Sequence, residues 1–214
     1  MFLDLVRAQL KAEIRDKTIL VRSLPFVGVV LLLFAFAFDP DRGIMARISP
    51  GLCYVVVTFA SMFIYVRDAH NKREQKFISS FAVESSVLFI SRVATNFVLT
   101  LMITIFTGIF SIFLFSPDMH NLLQVLIVAI LITFALSIVG AIYSPLVSKL
   151  HDSGQLLSLV VIPVLLPALL SAIESTNSAL GQNAGQSWKW LSLLAIFDVM
   201  FICIGVLASD SLED

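Results

Sequence analysis

Charge is what this 214-residue chain has least of: only 14% of its residues are Asp, Glu, Lys or Arg. An ordinary soluble domain carries about 25%. A body in water needs a charged shell, and 14 Lys and Arg with 15 Asp and Glu cannot cover one of this size. The shortage excludes a soluble enzyme, a disordered chain and a nucleic-acid-binding domain. Cysteine is scarce as well. Cys53 and Cys203 stand far apart in apolar runs, without metal-site spacing, and read as small buried packing residues. His70, His120 and His151 fall between apolar runs, and none pairs with another at ligand spacing. No HExxH, GxSxG or Ser-His-Asp pattern occurs. No GxxxxGK followed by Ser or Thr occurs either, so ATP hydrolysis is expected in another polypeptide and this chain is expected not to be an enzyme. A cleavable signal peptide is not expected: three acids are mixed with the basic residues at the N-terminus, and no small-residue cleavage site follows the first apolar run.

What the chain has in excess is apolar sequence, 58% of residues with a mean hydropathy of +0.97. A membrane-spanning helix needs about 20 apolar residues, and six runs qualify, at about 20–38, 50–66, 93–115, 122–148, 155–173 and 190–208. They are continuous rather than alternating, which favours helices over a barrel. The expected fold is an all-α integral membrane protein, one permease-sized domain over 1–214, with six transmembrane helices behind an N-terminal interfacial helix at 1–18. In that first helix Phe2, Leu3, Val6, Leu10 and Ile14 share a face beside Arg7, Lys11 and Arg15. It suits either a plain anchor or a gate helix.

Orientation follows from where the cations sit. With the N-terminus inside, Arg7, Lys11, Arg15, Lys17, Arg22, Arg67, Lys72, Arg73, Lys76, Arg92 and Lys149 lie on the cytoplasmic side. Arg42, Arg47 and Lys189 lie outside. Both termini are then cytoplasmic. The polar loop 174–189 is external, with Trp188 and Trp190 at the interface. The long internal loop 67–92 opens with a charged stretch and continues as the short apolar stretch 77–83. It fits a surface helix that docks a cytoplasmic partner, or a solvated loop held to anionic lipid. Only Asp198 lies deep in a run. A lone acid there costs about 2.5–3.5 kcal/mol on insertion scales, so it marks either a functional site or a neutral acid joining helices. Pro163 and Pro167 should kink the fifth run, and the carbonyls they free favour a helix buried in the bundle or facing a cavity.

Three stretches carry a resemblance. Ala46-Arg47-Ile48-Ser49-Pro50-Gly51-Leu52 opens the second run, Arg67-Asp68 enters the internal loop, and Gln155 to Pro163, with Pro167 following, forms the double-proline run. In these the chain resembles the CcmB-type heme exporter permeases of the cytochrome c maturation ABC transporter. The loop departs from the family pattern at Lys72 to Lys76 and at Ala82, where a proline is usual.

The resemblance implies an inner-membrane permease subunit without a cofactor of its own, with heme as cargo of the complex. Its implied partners are a cytoplasmic ABC ATPase, a second permease copy, a heme-handling membrane protein and a periplasmic heme chaperone. Arg67, Asp68, Arg73, Glu74 and Phe77 would meet the ATPase. An ABC-2 exporter for a drug, lipid or glycan shares the same physical features, and a non-transporting assembly subunit is the alternative from another class.

Overall fold

In a computed structural model of the chain, the described residues are 18–37, 42–70, 85–115, 121–149, 154–181 and 187–213. Six helices account for nearly all of them: α1 (Thr18–Ala37), α2 (Arg42–His70), α3 (Ser85–Phe115), α4 (Leu122–Lys149), α5 (Gly154–Ala179) and α6 (Ser187–Glu213). There is no strand among the described residues. The reason is the solvent: hydrocarbon offers no hydrogen bonds, so each backbone group must be satisfied within its own segment. Five helices are long and apolar enough to cross a membrane, over Ile48–Val66, Ser85–Phe115, Leu122–Pro145, Val161–Ala179 and Trp188–Ser209. The apolar part of α1, Val21–Ala37, is shorter. It reaches roughly 25 Å at 1.5 Å per residue, against a hydrocarbon core of about 30 Å.

The helices outrun the apolar runs. Helix α3 begins at Ser85 rather than 93 and so takes in Arg92. Helix α2 starts at Arg42 and carries on through Arg67 and Asp68 to His70. Helix α5 continues to Ala179, so Glu174 to Ser178 are helical rather than loop. Hydropathy marks where a helix meets lipid, whereas the helix itself persists as long as its backbone bonds do. Helix α5 ends where Gly181 adopts a left-handed φ of 95°, a conformation that costs glycine little. Helix α4 starts behind Asn121, whose Oδ1 accepts the Gln124 backbone N–H at 3.3 Å, an N-cap. The expected interfacial helix at 1–18 lies outside the described residues except for Thr18, and so does loop segment 71–84.

Helix α4 is the axis of the bundle and packs against α2, α3, α5 and α6. It is buried all round from Ala135 to Ile142. Helix α1 lies at the edge, against α2 and α3. The main core joins Val27 and Leu31 of α1, Val57 and Ala60 of α2, Leu99 and Ile103 of α3, Ile132 and Leu136 of α4, Leu165 and Ala168 of α5, and Leu194 of α6. Lipid is as apolar as leucine, so close packing and hydrogen bonds hold such helices together, and small residues permit the approach. Gly140 shows this directly. A Cβ there would fall within the Tyr65 ring, whose hydroxyl donates to the Leu136 carbonyl at 2.8 Å. Gly205 of α6 likewise lies against the Phe89 ring of α3.

Candidate functional site

Helix α3 carries a polar stripe at spacings of three and four: Arg92, Asn96, Thr100, Thr104, Thr107 and Ser111. From Asn96 onward every member is buried. Such a stripe lies on one face of a helix, and here that face turns into the bundle. The stripe was legible in the sequence as hydroxyl and amide residues recurring within an otherwise apolar run, and periodicity in apolar residues alone passes over it.

One end of the stripe lines a cavity of about 440 Å³, walled by α2, α3, α4 and the end of α5. Ser49, Cys53 and Tyr54 face it from α2, and Thr104, Thr107 and Ser111 face it from α3. Its α3 and α4 walls include Ile105, Ile109, Leu122 and Leu126, all exposed at the bundle surface, so the cavity opens toward the hydrocarbon between those helices. The polar wall is already engaged. The Tyr54 hydroxyl and Thr176 Oγ1 share a hydrogen bond of 2.7 Å, Thr104 and Thr133 share one of 3.1 Å, and Thr107 donates to the Ile103 carbonyl at 2.8 Å. Gln124 Nε2 donates to the Ser175 carbonyl at 3.3 Å and ties the start of α4 to the end of α5. What remains is a largely apolar chamber, suited to hold the hydrophobic body of a ligand.

Helix α6 carries one acid within its span, Asp198. This acid is only 3% exposed, and neither carboxyl oxygen has a hydrogen-bond partner. Asn96 Nδ2 and Thr100 Oγ1 are buried and unpartnered too.

The remaining sequence candidates are dispersed. Arg67 and Asp68 occupy the last turn of α2, far along the helix from the cavity wall it also forms. Arg73, Glu74 and Phe77 lie outside the described residues. Pro163 and Pro167 sit within a helix that is continuous across both, and their rings face outward rather than into the bundle or a cavity. A ring on the outer face leaves the small buried residues Ala168 and Ala172 for the tight inner contacts. The Pro167 carbonyl accepts the Ser171 hydroxyl at 2.6 Å. Cys203 is also exposed, on the outer face of α6, and Cys53 is half-buried at the cavity, so neither is the fully buried packing residue its apolar setting suggested. In a membrane an apolar neighbourhood in sequence includes the face turned to lipid. Among the described residues no three His, Cys, Asp or Glu side chains gather as a metal site would require.

Heme exporter protein B of Haemophilus influenzae is 25% identical over 169 residues, covering 77% of this chain and 76% of that protein. Heme exporter protein B of Pseudomonas aeruginosa is 24% identical over 151 residues, covering 68% of this chain and 66% of that protein. The profile of the CcmB protein family matches residues 1–212, nearly the whole length, and the chain belongs to that family.

Proposed function

We propose that this chain is the membrane permease subunit of an ABC transporter for cytochrome c maturation, acting in heme export or in release of the heme-loaded chaperone. The family match across residues 1–212 carries the reading. The two named relatives, both heme exporters, support it. The chain itself is not an enzyme in this reading and holds no cofactor. A cytoplasmic ABC ATPase supplies the energy, two permease copies pair, and a heme-handling membrane protein and a periplasmic chaperone take the cargo. The protein lies in the inner membrane with both termini cytoplasmic.

The mechanism is conformational coupling. Helix α2 runs unbroken from the cavity wall at Ser49, Cys53 and Tyr54 to Arg67 and Asp68. A push delivered at residues 67–83 therefore enters a rigid rod whose other end is a wall of the chamber. Backbone hydrogen bonds along an unbroken helix make it stiff enough to transmit a displacement of a turn or less. Arg67, Asp68, Arg73, Glu74 and Phe77 form the ATPase contact.

Co-purification from mild detergent tests the assignment. The wild-type chain brings down a cytoplasmic ATPase and a heme-handling membrane protein, and the complex shows a heme absorbance band. The double charge reversal Arg73→Glu with Glu74→Arg releases the ATPase and abolishes cytochrome c maturation in cells lacking the native copy. Undiminished ATPase binding by that variant overturns the coupling assignment. A complex with an ATPase but no heme-handling protein favours an exporter of another cargo. A reporter fused after Asp214 reads as cytoplasmic, and external activity overturns the topology.

A further inference from the structure

The cavity opens sideways, and its mouth is elongated. Ile105, Ile109 and Ile112 of α3 and Leu122, Leu126 and Ile130 of α4 line it, and all six are exposed at the bundle surface. Each set recurs at spacings of three or four, so each forms a strip along its helix. The two strips are the lips of a slit between α3 and α4. The α4 lip from Leu122 to Ile130 runs roughly 12 Å, and the α3 wall from Leu101 to Ile112 roughly 16 Å, at 1.5 Å per residue. Half of a hydrocarbon core about 30 Å thick is about 15 Å. Near the deep end Thr104 and Thr133 join the two helices by their 3.1 Å hydrogen bond. The other end reaches the first residue of α4 and the last turn of α3. The chamber therefore occupies the depth of one leaflet, the external one in the proposed topology.

Few molecules suit such a space. Water needs two to four polar partners, and the hydroxyls of Tyr54, Thr104 and Thr107 are already bonded within the bundle. A guest bearing carboxylates would leave them unpaired, since no Lys, Arg or His is among the described lining residues. Left empty, the lining forfeits the contacts that a close-packed interior makes. The bundle does not fill the chamber itself: Gly108 and Ala129 line it, and a Cβ on Gly108 would meet nothing within 4 Å. The slit faces hydrocarbon, and what lies against it at this depth is lipid chain. An acyl chain is apolar throughout, has the length of a leaflet, and can enter through a slit while its headgroup stays at the membrane surface.

We propose that the chamber is a binding site for one acyl chain of a bilayer phospholipid, admitted sideways between α3 and α4. The chain passes Ile105, Ile109, Leu122 and Leu126 and lies over Gly108 and Ala129. Cys53, Tyr54 and Thr107 form the back wall. A seated chain props α2 at Cys53 and Tyr54, so inward movement of that helix requires the chain to withdraw. Such a site is independent of which cargo the protein carries.

Photolabelling of the full-length protein tests it. The protein is reconstituted in phosphatidylcholine vesicles containing a minor fraction of phosphatidylcholine with a diazirine midway along one acyl chain. Labelled positions are mapped by mass spectrometry after illumination. Labels are expected on the back wall, at Cys53, Tyr54 and Thr107, as well as on the outer face of α6, at Ile204 and Leu207, which are exposed. Gly108→Leu fills the chamber from α3, and Ala129→Leu fills it from α4. Each should abolish the back-wall labels and leave those on α6. A wild type labelled on α6 but not on the back wall overturns the proposal, leaving the chamber to a second copy or another guest. Back-wall labels that persist in both variants also overturn it, because the chain would then reach those residues by another route. If one variant fails to accumulate as a monodisperse protein in gel filtration, the wild-type map and the other variant decide.

Discussion

The two halves of α3 belong to one unbroken helix, the first the more deeply buried, and they treat their polar residues differently. In the cavity half, Thr104 and Thr107 each donate to a carbonyl one turn back, and Thr104 also meets Thr133 of α4. In the half that packs against α6 where Gly205 meets Phe89, the seam half, Asn96 Nδ2 and Thr100 Oγ1 are buried without a hydrogen-bond partner. A hydroxyl in a helix carries its own acceptor a turn away, so it can be buried at little cost. An amide or a carboxyl has no such local remedy. Hydroxyls in a membrane bundle are therefore weak evidence of a site, whereas a buried amide or acid without a partner is stronger evidence.

Glycine provides the most forceful test of this contrast. Gly205 belongs to the seam, where a Cβ would strike the Phe89 ring, and Gly108 belongs to the cavity half, where a Cβ meets nothing within 4 Å. Gly205→Leu is expected to drive α6 from α3 at a cost of 1–3 kcal/mol or more, lowering the melting temperature by about 5 °C or beyond. Gly108→Leu is expected to leave it nearly unchanged. Thermal melts in one detergent compare the two, and equal losses would mean that the seam is no more tightly set than the cavity rim.

A smaller effect separates stability from function. The triple variant Asn96→Leu, Thr100→Val and Asp198→Leu replaces these unpartnered side chains with apolar groups. Replacing buried polar groups that have no partner by apolar groups of similar shape is nearly neutral or stabilising. The triple variant should melt no lower than the wild type and lose cytochrome c maturation in a complementation assay. Thr104→Val with Thr107→Val should do the reverse, melting slightly lower with maturation retained. A triple variant that melts lower would show that these side chains hold the bundle together.

Most of the helices, and the oddity of Asp198, were legible in the sequence, because both depend on composition within a short window. The helix ends were not. Residues 67–70, 85–92 and 174–179 are polar enough to read as loop, yet they extend α2, α3 and α5. Nor was the packing of α6 on α3 legible, which brings Gly205 against the Phe89 ring. The cavity was hidden for a similar reason, since its walls come from four helices that sequence order does not bring together. The outward turn of Pro163 and Pro167 escapes any one-dimensional reading, which identifies a missing backbone donor but not the side of the helix on which the ring lies.

The finest test concerns the tie beside the cavity. Tyr54 and Thr176 are 122 positions apart, and their 2.7 Å hydrogen bond links α2 to the last turn of α5. Hydrogen bonds between membrane helices average about 0.6 kcal/mol, because the separated helices also find partners. Tyr54→Phe and Thr176→Val should therefore each cost only that order. In the double variant the two losses should fall short of adding, because each single change already breaks the same bond. Unlike Asn96 Nδ2 and Thr100 Oγ1, this pair is closed on itself. A coupling near zero would show that the two hydroxyls are held together by packing of the cavity wall.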